Sequence, residues 1–137
     1  MNGFLLDTNV VSELRKKERC NRNVDAWAAS IPPNRDFLSV LVVGELTRGA
    51  SLKRRTDPDT ADAMEKWIGR LTQLYSDRIL PVTLEVAEEW GRLSALRSLP
   101  PQDGLLAATA VVHRLTWVTR NVRNVEGLDV PILDPWS

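Results

Sequence analysis

The chain has 137 residues, with 18 Lys plus Arg against 18 Asp plus Glu, one cysteine and one histidine. That length suits one domain over 1–137 with a real core, and the balanced charge excludes a global polyanion-binding surface, so nucleic-acid contacts must come from local basic clusters. The lone Cys20 excludes an intramolecular disulfide and a Cys-rich zinc site, and a single His113 argues against a zinc enzyme or a Ser-His-Asp machine.

The opening residues lack the basic segment of a signal peptide, and Asp7 interrupts their apolar run. No apolar stretch approaches the ~20 residues that a spanning helix needs. A soluble cytoplasmic protein without a membrane partner is expected. Phe4 to Leu6 is a short unbroken apolar run, suited to a strand buried on both faces of a parallel sheet. Asp7 ends it, at the carboxyl end where an α/β sheet opens its crevice. An aspartate there also serves as a plain cap or turn residue. Thr8 or Asn9 can then cap a helix with the apolar stripe Val10, Val11 and Leu14.

Arg15 to Arg22 reads as a basic, solvated turn. Val24 to Ser30 reads as a short helix with Trp27 as its core anchor, ended by Pro32-Pro33, and Phe37 to Val40 as the second strand. A helix from Leu41 to Arg54 follows. At 100° per residue, Leu41, Val42, Gly49 and Leu52 lie on the side of Glu45, with Thr47, Ser51 and Arg54 opposite. A carboxylate beside an apolar face needs a partner. A cation or donor network would serve, and so would a structural ion pair with a buried arginine.

After the polar turn 53–59, Met64, Trp67, Ile68, Leu71, Leu74 and Tyr75 repeat at helical spacing, as core or subunit interface. Ile79 to Val82 is a short strand. Thr83 and Glu85 open a helix with the stripe Val86, Trp90, Leu93 and Leu96. Leu99-Pro100-Pro101-Gln102 reads as a rigid loop that delivers Asp103-Gly104 into a buried helix, Leu105 to His113. Asp103 is either a plain helix-start carboxylate, favoured there by the dipole, or a third site acid. His113 is structural. Leu115 to Thr119 is a strand, followed by polar residues 120–124, and Val130 to Leu133 is a last edge strand. Strands alternating with helices predict a three-layer α/β/α sandwich with a mainly parallel sheet of four to five strands.

Right-handed topology can bring Asp7, Glu45 and Asp103 to one sheet edge. Carboxylates without His or Cys are hard oxygen ligands suited to Mg²⁺ or Mn²⁺. Such ions can activate water, orient a scissile phosphate and stabilise the leaving oxygen. The implied reaction is phosphodiester hydrolysis, with Thr8, Ser39 and Thr119 as orienting groups. Arg15, Lys16, Arg48, Arg120 and Arg123 are the candidate substrate contacts.

Four motifs appear in order: Leu-Leu-Asp7-Thr-Asn-Val-Val-Ser-Glu-Leu-Arg, Val-Val-Gly-Glu45-Leu, Gln-Asp103-Gly-Leu-Leu-Ala-Ala-Thr-Ala and Leu-Thr-Trp-Val-Thr119-Arg-Asn121. The set resembles a PIN domain, specifically a VapC-type toxin of the FitB-like branch. That resemblance implies a Mg²⁺-dependent endoribonuclease with Asp7, Glu45 and Asp103 as its metal-binding acids. It also implies a homodimer, and inhibition by a small VapB-type antitoxin that often binds operator DNA together with the toxin. Asn121 stands where the family often has a fourth acid, and Asn124 where a further Asp is common. Asn still coordinates through its carbonyl oxygen, so Asn121 is read as site-lining, with Glu126 as a possible substitute. The competing readings are a weakly catalytic regulatory subunit acting in an antitoxin–DNA complex, and a receiver- or phosphatase-like domain. The latter requires a Lys partner at a strand end, which this chain lacks.

Overall fold

The computed structural model describes residues 3–137. Met1 and Asn2, part of the segment read as lacking a signal peptide, lie outside the described residues. In chain order the elements are β1 (Gly3–Leu6), α1 (Thr8–Arg15), α2 (Arg22–Ser30), β2 (Asp36–Ser39), α3 (Val40–Lys53), α4 (Pro58–Leu74), β3 (Ile79–Leu80), α5 (Leu84–Leu96), α6 (Pro101–His113), β4 (Leu115–Val118) and β5 (Ile132–Leu133). Short 3₁₀ turns occupy Lys17–Arg19 and Val122–Val125.

The strands form one sheet in the order β3-β2-β1-β4-β5, parallel at every pairing. The chain therefore steps outward from β1 through β2 to β3, then returns to place β4 on the other side of β1. Right-handed crossovers put α1–α4 on one face and α5–α6 on the other. Contacts of α3 with α4 and α1, and of α5 with α6, agree. This is the three-layer α/β/α sandwich, with five strands. Among the described residues no helix is long and apolar enough to cross a membrane.

The middle strands are apolar because both their faces are covered. Leu5, Leu38, Leu115, Trp117 and Val118 are fully or almost fully buried. So are Leu106, Ala107, Ala108 and Ala110 of α6, whose small residues let it lie close to the sheet. Side-chain caps set several helix starts. Ser39 accepts from the Leu41 N–H, Thr83 from Val86, and Asp57 from Thr60, with Pro58 opening α4. Two glycines are required by close approach. A Cβ on Gly3 would stand 2.6 Å from Leu115 Cδ2, and one on Gly104 would stand 2.9 Å from Trp90 Cδ1.

Four local expectations are corrected. The cap of α1 is Asp7 itself, which accepts from the Thr8 N–H, not Thr8 or Asn9. Helix α6 begins at Pro101 rather than Leu105, because proline has no N–H to lose at a first helical position. Trp27 is half-buried and meets the Phe4 ring edge-on at 5.3 Å, at the margin of the core. On α3 the buried stripe is Val42, Leu46 and Ala50 while Leu52 is exposed, and on α5 Val86 and Leu93 are buried while Leu96 is 75% exposed. Helices of 13 and 14 residues span about 20 Å and outrun a sheet of four-residue strands, about 13 Å long.

Candidate active site

In a parallel sheet the chain leaves every strand at the same, carboxyl edge, and the Asn124 bond to Asp103 ties the first turn of α6 to the turn after β4. That edge therefore collects Asp7 after β1, the start of α3 after β2, the first turn of α6, and Thr119 after β4. The outward run of strands reverses between β1 and β4, and an α/β sheet opens its binding crevice at such a reversal. Asp7 and Thr119 flank that point.

Asp7 is 4% exposed. Its Oδ1 accepts from the Thr8 N–H at 2.7 Å and its Oδ2 from the Thr119 hydroxyl at 2.6 Å. Thr119 is fully buried. Its Oγ1 in turn accepts from the Asn121 N–H at 3.0 Å and from Asn9 Nδ2 at 3.5 Å, so this one hydroxyl is filled as donor and acceptor. The Arg120 N–H reaches Asn9 Oδ1 at 3.4 Å. Burial pushes the Asp7 carboxyl up from 3.8 to about 6, against the two hydrogen bonds that favour the charged form, and the negative charges of Asp103 and Glu45 push it the same way.

That coupling brings the three predicted acids into one electrostatic neighbourhood. Asp103 sits in the first turn of α6, half-buried, with Oδ2 accepting from Asn124 Nδ2. Glu45 differs from expectation. It lies at the margin of the buried stripe of α3, exposed to solvent, because Leu46 takes the inward position. No ion pair joins Asp7, Glu45 or Asp103 to a Lys or Arg among the described residues, which removes the structural ion pair weighed for Glu45. As placed, no three described His, Cys, Asp or Glu side chains are close enough to share one ion.

The donor set fits a hard cation: carboxylate oxygens in partial burial, like-charged and without a basic partner. Among the described residues the buried side-chain polar atoms without a protein partner are Thr8 Oγ1 and Gln102 Nε2, each next in sequence to one of these acids, and His113 Nε2 and Trp117 Nε1. Ser39 is buried as the cap of α3.

Asn121 is exposed at the start of the 3₁₀ turn. It lines a recess of ≈ 550 Å³ with Arg120, Val122, Arg123, Asn124 and Asp134. Arg120 lies 4.8 Å from the Trp136 ring centroid, and Arg123 is exposed. Arg48, also exposed, lies three residues beyond Glu45 on α3. Arg15 and Lys16 stand apart, at the far end of α1. Arg15 stacks 5.0 Å from the Trp67 ring centroid, and Lys16 pairs with Glu13 at 2.9 Å. Glu126 is exposed, with no bond from its carboxylate to the three acids. Asn9, expected only as a candidate cap, instead holds Thr119, and the Asn124 bond to Asp103 was not expected. The only signal for Asn9 was its place two residues after Asp7.

The comparisons with known proteins bear on the family and the fold. The model of the PIN domain matches residues 4–126. Toxin FitB of Neisseria gonorrhoeae is 31% identical over 138 residues, covering 97% of this chain and 98% of that protein. VapC ribonuclease Y4jK of Sinorhizobium fredii is 32% identical over 143 residues, covering 98% of each. The solved structure of FitAB bound to the IR36 DNA fragment superposes with a TM-score of 0.86 at 28% identity, over 98% of this chain and 96% of that one. With an all-parallel sheet in the order β3-β2-β1-β4-β5 and a match running from β1 to the turn after β4, the chain belongs to the PIN domain family.

Proposed function

We propose that this protein is a metal-dependent endoribonuclease toxin, with Asp7, Glu45 and Asp103 as the residues that hold Mg²⁺ or Mn²⁺. The observation that carries this reading is Asp7. It is a buried carboxylate fixed by two hydrogen bonds, raised to about 6, beside two more acids and no basic partner. Perturbed carboxylates in a crevice mark chemistry more often than stability. A divalent ion, when bound, supplies an activated water and charge neutralisation at the phosphate.

The chain's own residues do the rest. Thr119 orients Asp7 and is itself held by Asn9 and the Asn121 N–H. Glu45 completes the ligand set from a helix that leaves it free to move. Asn121 lines the site through a neutral amide, so one ion is bound more firmly than a second. Arg120 and Arg123 border the recess beside the acids and hold the RNA backbone there. A single strand or loop suits a crevice that must reach an exposed phosphate. Arg48 adds a contact beside Glu45, while Arg15 and Lys16 serve only a strand that continues over α1.

The named relatives support the setting. One is called a toxin, another a VapC ribonuclease, and a solved FitAB complex is bound to DNA. We infer further that this protein is a cytoplasmic, homodimeric toxin, a single PIN domain over residues 1–137. It is neutralised by a VapB-type antitoxin and reaches operator DNA through it.

The test compares purified protein with Asp7→Asn on a mixed RNA pool, with Mg²⁺ and with chelator. Cleavage that needs both the ion and Asp7 supports the reading. Equal products from both proteins point to a contaminant. No cleavage of any RNA favours the regulatory subunit, for which the neutral Asn121 and Asn124 are the motivating residues.

A further inference from the structure

Arg97 stands just past the end of α5, in the connection that leads into Asp103. Its Nη2 donates to the Arg123 carbonyl oxygen at 2.8 Å, and its Nη1 donates to the Glu126 carbonyl oxygen. The Arg123 carbonyl also accepts from the Glu126 N–H at 3.3 Å as the 3₁₀ turn Val122–Val125 closes, and the Glu126 carbonyl lies just past that turn. A planar guanidinium can take two such carbonyls at once, which an ammonium does poorly. From the same turn Asn124 Nδ2 donates to Asp103 Oδ2.

The α5–α6 connection and the turn after β4 are therefore stapled twice, once by Arg97 and once by Asn124. The second staple ends on a site acid. It occupies Oδ2 of Asp103 and leaves Oδ1 without a protein partner among the described residues. An aspartate at 124 would repel Asp103; the amide donates to it instead and fixes which oxygen turns outward.

Building on the nuclease reading, we propose that Arg97 and Asn124 are positioning residues: by fixing the Asp103 carboxylate they set the affinity of the acid cluster for a divalent cation, without touching it. Losing a partner that orients a ligand costs about 10–100-fold in metal affinity. Asn124 also lines the recess assigned to the RNA backbone, so cation binding measured without RNA is the readout that isolates this role.

The experiment titrates the purified protein with Mn²⁺ by calorimetry, as wild type, Asn124→Ala, Arg97→Ala, Arg97→Lys, Asp103→Asn and the Asn124→Ala/Asp103→Asn double variant. Binding about tenfold weaker is expected for Asn124→Ala and Arg97→Ala, with part of it recovered in Arg97→Lys. In the Asp103→Asn background Asn124→Ala changes nothing further, because its route to the ion is gone. Unchanged Mn²⁺ affinity in both alanine variants overturns the proposal, and so does an equal loss from Asn124→Ala with and without Asp103. If Arg97→Ala fails to fold, the Asn124 cycle decides alone. A wild type that binds no Mn²⁺ sinks the nuclease reading and this proposal together, whereas intact wild-type binding with insensitive variants sinks only this one.

Discussion

Asp7 and Glu45 carry the same charge into the same neighbourhood under opposite conditions. Asp7 is buried between β1 and β4, with both oxygens bonded. Glu45 is exposed near the start of α3, with no partner. The fold thus spends its rigid hydrogen bonds on one acid and leaves the other free. A fixed acid defines where an ion sits; a free one lets the shell close around ion and substrate together. Burying all three rigidly would multiply a cost already visible at Asp7, whose own charge is disfavoured by burial.

The largest effect tests the fixed side. Asp7→Asn lowers RNA cleavage at least about 100-fold, the scale of losing one preorganised electrostatic group. Single-turnover assays at saturating Mg²⁺ check this. A loss under tenfold would make Asp7 a helix cap and dissolve the contrast.

The second effect is on stability and carries a sign. The Asp7 pKa is raised from 3.8 to about 6 in the folded state, so the native protein binds this proton more tightly than the unfolded chain. Stability from this group is full below about pH 4 and is lost as pH rises through about 6. A shift of about two units corresponds to about 3 kcal/mol. Denaturant melts in chelator at pH 4.5 and 7.5 should show the loss, Asp7→Asn should flatten it, and Mn²⁺ should restore stability at the higher pH. A wild-type profile that does not fall across this window would mean that Asp7 ionises without penalty, and the fixed side would lose its strain.

How far the sequence foretold this depends on the residue. The parallel α/β/α plan and the alternation of strands with helices followed from short apolar runs flanked by capping residues, while the cap of α1 and the start of α6 did not. Asp7 was legible because a carboxylate directly after a buried strand of a parallel sheet has one place to go. Glu45 was misjudged in its burial, because a helical wheel ranks faces by composition and cannot tell which of Glu45 and Leu46 turns inward. That choice depends on where α4 and the sheet press on α3. Arg97 was invisible, since its partners are backbone carbonyls 26 and 29 residues away, and no side-chain pattern announces a carbonyl. The Asn124 bond needed the position of the turn after β4, and a 3₁₀ turn has no sequence periodicity to reveal it.

The third prediction takes the free side. Glu45→Gln reduces cleavage about tenfold, less than Asp7→Asn, because an exposed ligand is screened and is replaced in part by water. Its apo stability at pH 7.5 stays within about 0.5 kcal/mol of wild type, as for other surface changes. A larger kinetic loss than Asp7→Asn in the same single-turnover assay would invert the comparison, making the mobile acid the principal ligand.

The smallest effect sits where the two sides meet. Asn121 binds Thr119 through its backbone N–H, and its side chain is exposed at the recess lined by Arg120 and Arg123. Asn121→Asp adds a charge without disturbing the Asp7–Thr119 bond, since that contact uses main chain only. Mn²⁺ affinity should rise about threefold by calorimetry, a gain limited by solvent screening at an exposed position. The same substitution adds one more negative charge near Asp7, so the fall in apo stability should shift to slightly higher pH. If affinity rose by a hundredfold instead, position 121 would be a direct ligand with its own fixed geometry. The division would then lie not between a buried and an exposed acid but between the two strands, β1 and β4, that flank the reversal of the sheet.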